Sequence, residues 1–272
     1  MPSPLEESAE GDDPAVADRA VADRAVADRA VADRAVPDRA FIDLHSHTSA
    51  SFDSLATPGA VMRAATSRGL THLAITDHER IDGALRARDA APEGLTVIVG
   101  EEVKTADGDL IAVFIERQVP PGLPALETIA AIREQGGLVG VPHPFDRLRG
   151  YGRKSGADVA EIAAAVDWVE IYNARVIGAS ANERAALFAK EHSLPGLCAS
   201  DSHTVLEVGV SYNAVRGDPS TATGLLAALV TADIHPYRAS YYVRAWTPLA
   251  KLVQSMRGNG RRPAQVNPGE GK

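Results

Sequence analysis

The chain has 272 residues, 45% hydrophobic and 24% charged, a composition that allows one large folded core or two smaller ones. Its formal net charge of -8 argues against duplex nucleic acid as a natural partner, because affinity for phosphate backbones rests mainly on Lys and Arg. The single cysteine, Cys198, excludes an internal disulfide, and no apolar run approaches the ~20 residues needed to cross a bilayer.

Residues 1–14 are polar and acidic and read as disordered. They lack the basic start and apolar stretch of a secretory signal, so the expectation is cytoplasmic, with no membrane contact. From Ala15 to Ala40 the sequence repeats every five residues, AVADR four times and then AVPDRA. Five matches neither the helical nor the strand period, so the valines drift around a helix instead of forming a stripe. Residues 1–40 are therefore read as a low-complexity leader, the competing reading being a partner-binding helix that Pro37 ends.

The folded domain is expected over residues 41–257. FIDLH, from Phe41, reads as a short strand, and 58–68 as a helix with Pro58 in its first turn. Strands are expected at 71–76, 95–100, 109–115, 138–141, 168–172 and 194–200. Helices are expected at 79–90, 125–137, 157–165, 180–192 and 219–231. Such alternation predicts a parallel sheet with helices outside it, open or closed into a barrel. From Gly258 onward the chain is rich in Gly, Pro and Arg and reads as a disordered tail.

Five of the eight histidines directly follow a predicted strand: His45 and His47 in DLHSHT, His78 in TDH, His143 in PHP and His203 in SDSH. Asp53, Asp77, Glu102 and Asp201 occupy equivalent places. In parallel α/β folds the C-terminal strand ends meet at one face, so these groups converge. So many ionisable groups packed together require positive charge, which divalent metals supply. Imidazole with carboxylate suits Mn, Zn or Fe. His45 and His47, two apart on a strand, face one side, and Asp43 on that side is placed to orient one of them from behind. His72, His192 and His235 lie elsewhere and read as structural or surface residues, and Cys198 as a core residue.

The loop after His143, PFDRLRGYGRKSG, carries Arg147 and Arg149 close to the site, with Arg175 following another strand in IYNAR. They read either as a clamp for substrate phosphate or as solvated cations. No GxxxxGK[ST] loop, GxSxG elbow or cysteine zinc site competes.

In this order DLHSHTSASFDS, TDH, GEEVKT, PHPFD and SDSH resemble the motifs of the PHP (polymerase and histidinol phosphatase) family, over about residues 41–240. The resemblance implies a distorted (β/α)7 TIM-like barrel with a metal site at the C-terminal strand ends. It also implies two to three divalent ions and hydrolysis of phosphate esters by a metal-activated water. His45, His47, Glu102 and Asp201 would hold one ion, Glu102 and His143 a second, and Asp53, His78 and His203 a third. Many family members carry a further histidine on the strand after the GxE motif. Here Leu110 stands at or near that place, with Asp109 expected on the opposite side, and Glu101 is expected to point away from the ions.

Asp77 or His203 is a candidate proton shuttle. A small phosphomonoester or short nucleotide is the expected substrate, with no protein partner evident. The alternatives are a 3'-5' exonuclease on oligonucleotides and a non-catalytic PHP-like binding module.

Overall fold

The structure is a computed structural model that describes residues 38–146, 149 and 159–260. Arg147 and nearly all of the leader lie outside the described residues. One sheet of nine strands organises the molecule, in the order β7-β6-β5-β4-β3-β2-β1-β8-β9. The strands are β1 (Arg39–Asp43), β2 (His72–Ile75), β3 (Thr96–Lys104), β4 (Asp109–Val113), β5 (Leu138–Val141), β6 (Trp168–Asn173), β7 (Gly196–Ala199), β8 (Tyr212–Arg216) and β9 (Asp233–His235).

The helices are α1 (Pro58–Ser67), α2 (Asp82–Asp89), α3 (Ala125–Arg133), α4 (Val159–Ala165), α5 (Ala179–Glu191), α6 (Ala222–Leu229), α7 (Tyr241–Arg244) and α8 (Trp246–Met256). Helix α1 starts where Thr57 accepts a hydrogen bond from Ala60 N–H and Pro58 fixes the first turn, and it buries Val61, Met62 and Ala65. Burial of Val61 or Met62 stabilises by about 2 kcal/mol each, and that of Ala65 by less.

The sheet is mixed, not all-parallel. β1–β2–β3 and β5–β6–β7 run parallel, whereas β4 is antiparallel to both β3 and β5, and β8 is antiparallel to both β1 and β9. The short Thr105–Gly108 connection lets β3 and β4 form a hairpin, which a parallel pair could not do. Closure is nearly complete. Ser46 bridges Ser202 in parallel, and the Asn213 side chain exchanges hydrogen bonds with both backbone groups of Cys198.

Alternation of side chains divides the core into two layers. Phe41, Leu73, Val97, Leu110, Val139 and Val169 pack outward beneath the helices. Ile42, Ile98, Ile111, Leu138, Trp168 and Leu197 fill the barrel interior. Gly140 makes room for Trp168, since a Cβ there would overlap the indole.

Among the described residues, β1 opens at Arg39, where it pairs with β8, and ordered contacts continue beyond Gly258. The Asn259 side chain donates to the carbonyls of Ser49, Ala50 and Ser51 and accepts from Arg80, which anchors residues 258–260 on the loop after β1. No helix among the described residues is long and apolar enough to cross a membrane.

Candidate metal centre

The C-terminal ends of β1, β2, β3, β5 and β7 bring His45, His47, Asp53, His78, Glu102, His143, Asp201 and His203 into one buried cluster. Their donor atoms form three groups, each within 4.8 Å: His47, Asp53, His78 and His203; His45, His47 and Asp201; His45, Glu102 and His143. His143 and Asp201 hold positive φ angles of 28° and 50°, a conformation that non-glycine residues seldom adopt and that functional sites retain.

Glu102 stands at the centre. Its Oε1 lies 3.2 Å from His143 Nε2, while Oε2 lies 3.1 Å from His78 Nδ1, 3.3 Å from His45 Nε2 and 3.4 Å from His47 Nε2. Glu101, the next residue along β3, points into the outer layer, where its Oε2 accepts from Val119 N–H at 2.9 Å. Burial pushes its carboxyl up to about 8.

The electrostatics call for positive charge inside the cluster. Although burial opposes it, His203 and His78 hold Asp53 well below the carboxylate range, and His78 and His45 do the same for Glu102. Against the same burial effect, Arg149 and His45 hold Asp201 low. Burial and the neighbouring His203 keep His47 neutral, with a pKa of about 3, the form in which imidazole ligates metals. The donor set passes a further test. Asp201 Oδ1 is buried, makes no hydrogen bond and faces the Nε2 atoms of His45 and His47, an arrangement that fits an ion as its partner. The clusters are thus able to bind metals, and their mixed imidazole and carboxylate chemistry suits divalent transition ions.

The residue behind His45 is Glu170, not Asp43. Glu170 Oε1 lies 2.7 Å from His45 Nδ1, and its Oε2 accepts from His143 N–H at 3.0 Å and from the Asn173 amide at 2.8 Å. Asp43 instead accepts from Ser200 and from Gly209 N–H, securing the chain before Asp201. Sequence reasoning missed Glu170 and Asn173, both on β6. The signal present was a glutamate set among apolar residues, in WVEIYN.

A second correction concerns β4. The register pairs Glu102 with Ile111, which faces the barrel interior, so Asp109 lies on the same face as Glu102. Leu110 points into the outer core. The short hairpin sets this register, which the sequence reading placed one residue off. Asp109 forms an ion pair with Lys104 at 2.9 Å.

The remaining candidates separate. Arg149 reaches the cluster, its Nη1 2.6 Å from Asp201 Oδ2. Arg175 does not present a free cation, because Glu207 and the Thr247 hydroxyl engage its guanidinium at 3.1 and 2.7 Å. Asp77 is also outside the three groups. Its two oxygens accept from Thr48 N–H and Thr48 Oγ1 at 2.6 and 2.7 Å, and burial pushes its carboxyl up to about 6. Cys198 is buried, its thiol directed at the Tyr212 carbonyl, and burial raises its pKa far above the ordinary thiol value.

Comparison with known proteins agrees with this geometry. The PHP domain model matches residues 43–200, and a PHP-associated model matches residues 179–233. An uncharacterised protein of Methanocaldococcus jannaschii is 34% identical over 143 residues, covering 48% of this chain and 81% of the relative. A 5'-3' exoribonuclease of Haemophilus influenzae is 30% identical over 117 residues, covering 38% of this chain and 42% of the relative. A solved two-domain protein of Bacteroides vulgatus, containing a predicted PHP-like metal-dependent phosphoesterase, superposes with a TM-score of 0.61. That match covers 74% of this chain and 67% of the other, and its 18% identity makes it a likeness of fold.

Proposed function

Because the chain belongs to the PHP domain family, we propose that it is a metal-dependent phosphoesterase whose buried cluster holds two to three Mn, Zn or Fe ions. One observation carries the reading: the two oxygens of Glu102 divide between His143 on one side and His45, His47 and His78 on the other. A carboxylate so placed would bridge neighbouring ions. We assign His45, His47, Asp201 and one Glu102 oxygen to one ion, and the other Glu102 oxygen with His143 to a second. Asp53, His78 and His203 would take a third.

Divalent ions held by these residues would supply Lewis acidity toward the phosphoryl group and a water nucleophile at neutral pH. The chain's own groups set the geometry. Glu170 accepts the Nδ1 proton of His45 and so leaves Nε2 facing the cluster. The Asp201 carbonyl takes the Nδ1 proton of His203 in the same way, with Nε2 turned to Asp53. His203 is therefore placed to hold an ion more than to shuttle protons, and Asp77 is committed to Thr48. Arg149, at the rim between Asp201 and Asp146, is the arginine nearest the cluster among the described residues, and its remaining N–H groups could reach substrate phosphoryl oxygens.

A small phosphomonoester or short nucleotide is the substrate we favour, with hydrolysis in a reducing compartment such as the cytoplasm, where a lone buried cysteine is stable. The Haemophilus relative favours a second reading, cleavage of RNA ends. By its name that enzyme works 5'-3', the opposite polarity to the exonuclease considered from the sequence. Elemental analysis of protein purified without chelators tests the proposal, together with hydrolysis of phosphomonoesters and oligonucleotides under Mn, Zn or Fe. At least two metal equivalents are expected. Less than half an equivalent after reconstitution would overturn it.

A further inference from the structure

A cleft of about 340 Å³ opens beside the cluster, and two cluster residues, Asp53 and His203, form part of its wall. The remaining lining is of a different kind. Leu55 and Ala60 come from the α1 side, Val205 from the loop after β7, and Trp246 and Ala250 from α8. Among the described residues, no Lys or Arg lines it. Trp246 is 54% exposed, although a large aromatic group of this kind normally covers itself.

The far wall is rigidly built. Gln254 of α8 is buried, and its amide nitrogen contacts the carbonyls of Ser49, Ser51 and Ser54 at 2.8, 3.0 and 2.7 Å. These belong to the loop that carries Asp53, so the helix bearing Trp246 and the loop bearing a cluster carboxylate are tied together. Arg175 fixes Thr247 from behind. Because Thr57 Oγ1 accepts from Ala60 N–H and Thr247 Oγ1 from Arg175, each hydroxyl keeps its own proton to donate into the cleft.

Resting on the phosphoesterase reading, we propose that this cleft binds the nucleobase of a nucleoside monophosphate. The base stacks on Trp246 while the phosphate lies at the cluster. The shape and volume fit a small-ligand pocket, mostly apolar with a few directed polar groups. A flat aromatic ring gains from stacking on an exposed indole, and the threonine hydroxyls offer donors to ring nitrogens or carbonyl oxygens. The lining contributed by the described residues is neutral apart from Asp53 and His203, which suits an uncharged base better than a second phosphate. Helix α8 lies beyond both family-model matches, which end at residues 200 and 233.

Tryptophan fluorescence reads binding without requiring turnover. Trp168 is 1% exposed and forms a constant background, leaving Trp246 as the responsive group. With the metal-reconstituted full chain, adenosine 5'-monophosphate should quench emission saturably, and ribose 5-phosphate at equal concentration should not. The quench should vanish in Trp246→Ala. The kcat/KM preference for adenosine 5'-monophosphate over ribose 5-phosphate should fall about tenfold in Trp246→Ala, the size of one lost stacking contact. Trp246→Phe, which retains an aromatic face, should keep most of the preference. Absence of quenching up to millimolar nucleotide, or equal quenching by both phosphates, would overturn the proposal. If the quench persists but neither phosphate is hydrolysed, the phosphoesterase reading fails and the base subsite stands.

Discussion

The two walls of the site are built by opposite means. On one side, eight ionisable side chains from five strand ends are buried against one another, and mutual charge decides which of them carry protons. On the other, α8 presents Trp246 and Ala250, and neutral hydrogen bonds from Gln254 hold it in place. Charge burial is tolerable only where counter-charge is guaranteed, so the first wall has little freedom to vary its residue types. Neutral packing accepts many shapes, so the second wall can change with the substrate while the chemistry stays fixed.

The largest expected effect lies at the centre of the charged wall. Glu102→Gln keeps size but removes the charge that two ions would share, so kcat should fall by roughly a hundredfold or more, with metal content reduced. Steady-state kinetics with parallel elemental analysis decides this, and full activity would remove the bridging role. Next comes Glu170→Gln. It should weaken metal binding by roughly ten- to a hundredfold, because His45 loses the partner that fixes its tautomer. A metal titration that matches wild type would show that His45 is oriented by other means.

Arg149→Ala is expected to lower kcat/KM by about tenfold with metal content maintained, in line with a lost charge-assisted hydrogen bond to substrate. Unchanged kinetics would return this arginine to a purely structural partnership with Asp201. On the neutral wall, Gln254→Leu removes the donor to the Ser54 carbonyl and one of the two side-chain donors to each of Ser49 and Ser51, and should cost about 2 kcal/mol. In a domain of this size that is a fall in Tm of roughly 4–8 °C. Metal content should survive, and its loss would mean that the two walls are not separable in the way described. The smallest effect is expected for Glu101→Gln. Its carboxyl is buried on the outer face and already pushed toward the protonated form, so kcat should stay within about twofold of wild type. Inactivation by this change, with Glu102→Gln active, would shift the assignment along β3 by one residue.

The legibility of the two walls in the sequence differs for the same physical reason. His45, His47, His78, Glu102, His143, Asp201 and His203 stand next to strand ends, and a parallel topology carries such positions to one face. Glu170 was hidden because its position inside an apolar strand does not reveal the His45 ring behind which it lies. Asp109 and Leu110 were exchanged because the face of a strand flips with a one-residue change of register, and the hairpin set that register. The antiparallel strands β8 and β9 and the helices α7 and α8 fall outside the alternating pattern, and β8 takes its place only by pairing with β1 from the other end of the domain.

By itself, then, the sequence determined the class of fold and the inventory of a charged site, because strand periodicity and ionisable residue types are local properties. The tertiary structure decided which oxygen of Glu102 meets which imidazole, and that Glu170 orients His45. It also decided that Arg175 is spent on Glu207 and that Trp246 stands across a cleft from Asp53. These outcomes depend on strand register, barrel closure and the docking of a C-terminal helix, each fixed by contacts between residues far apart along the chain.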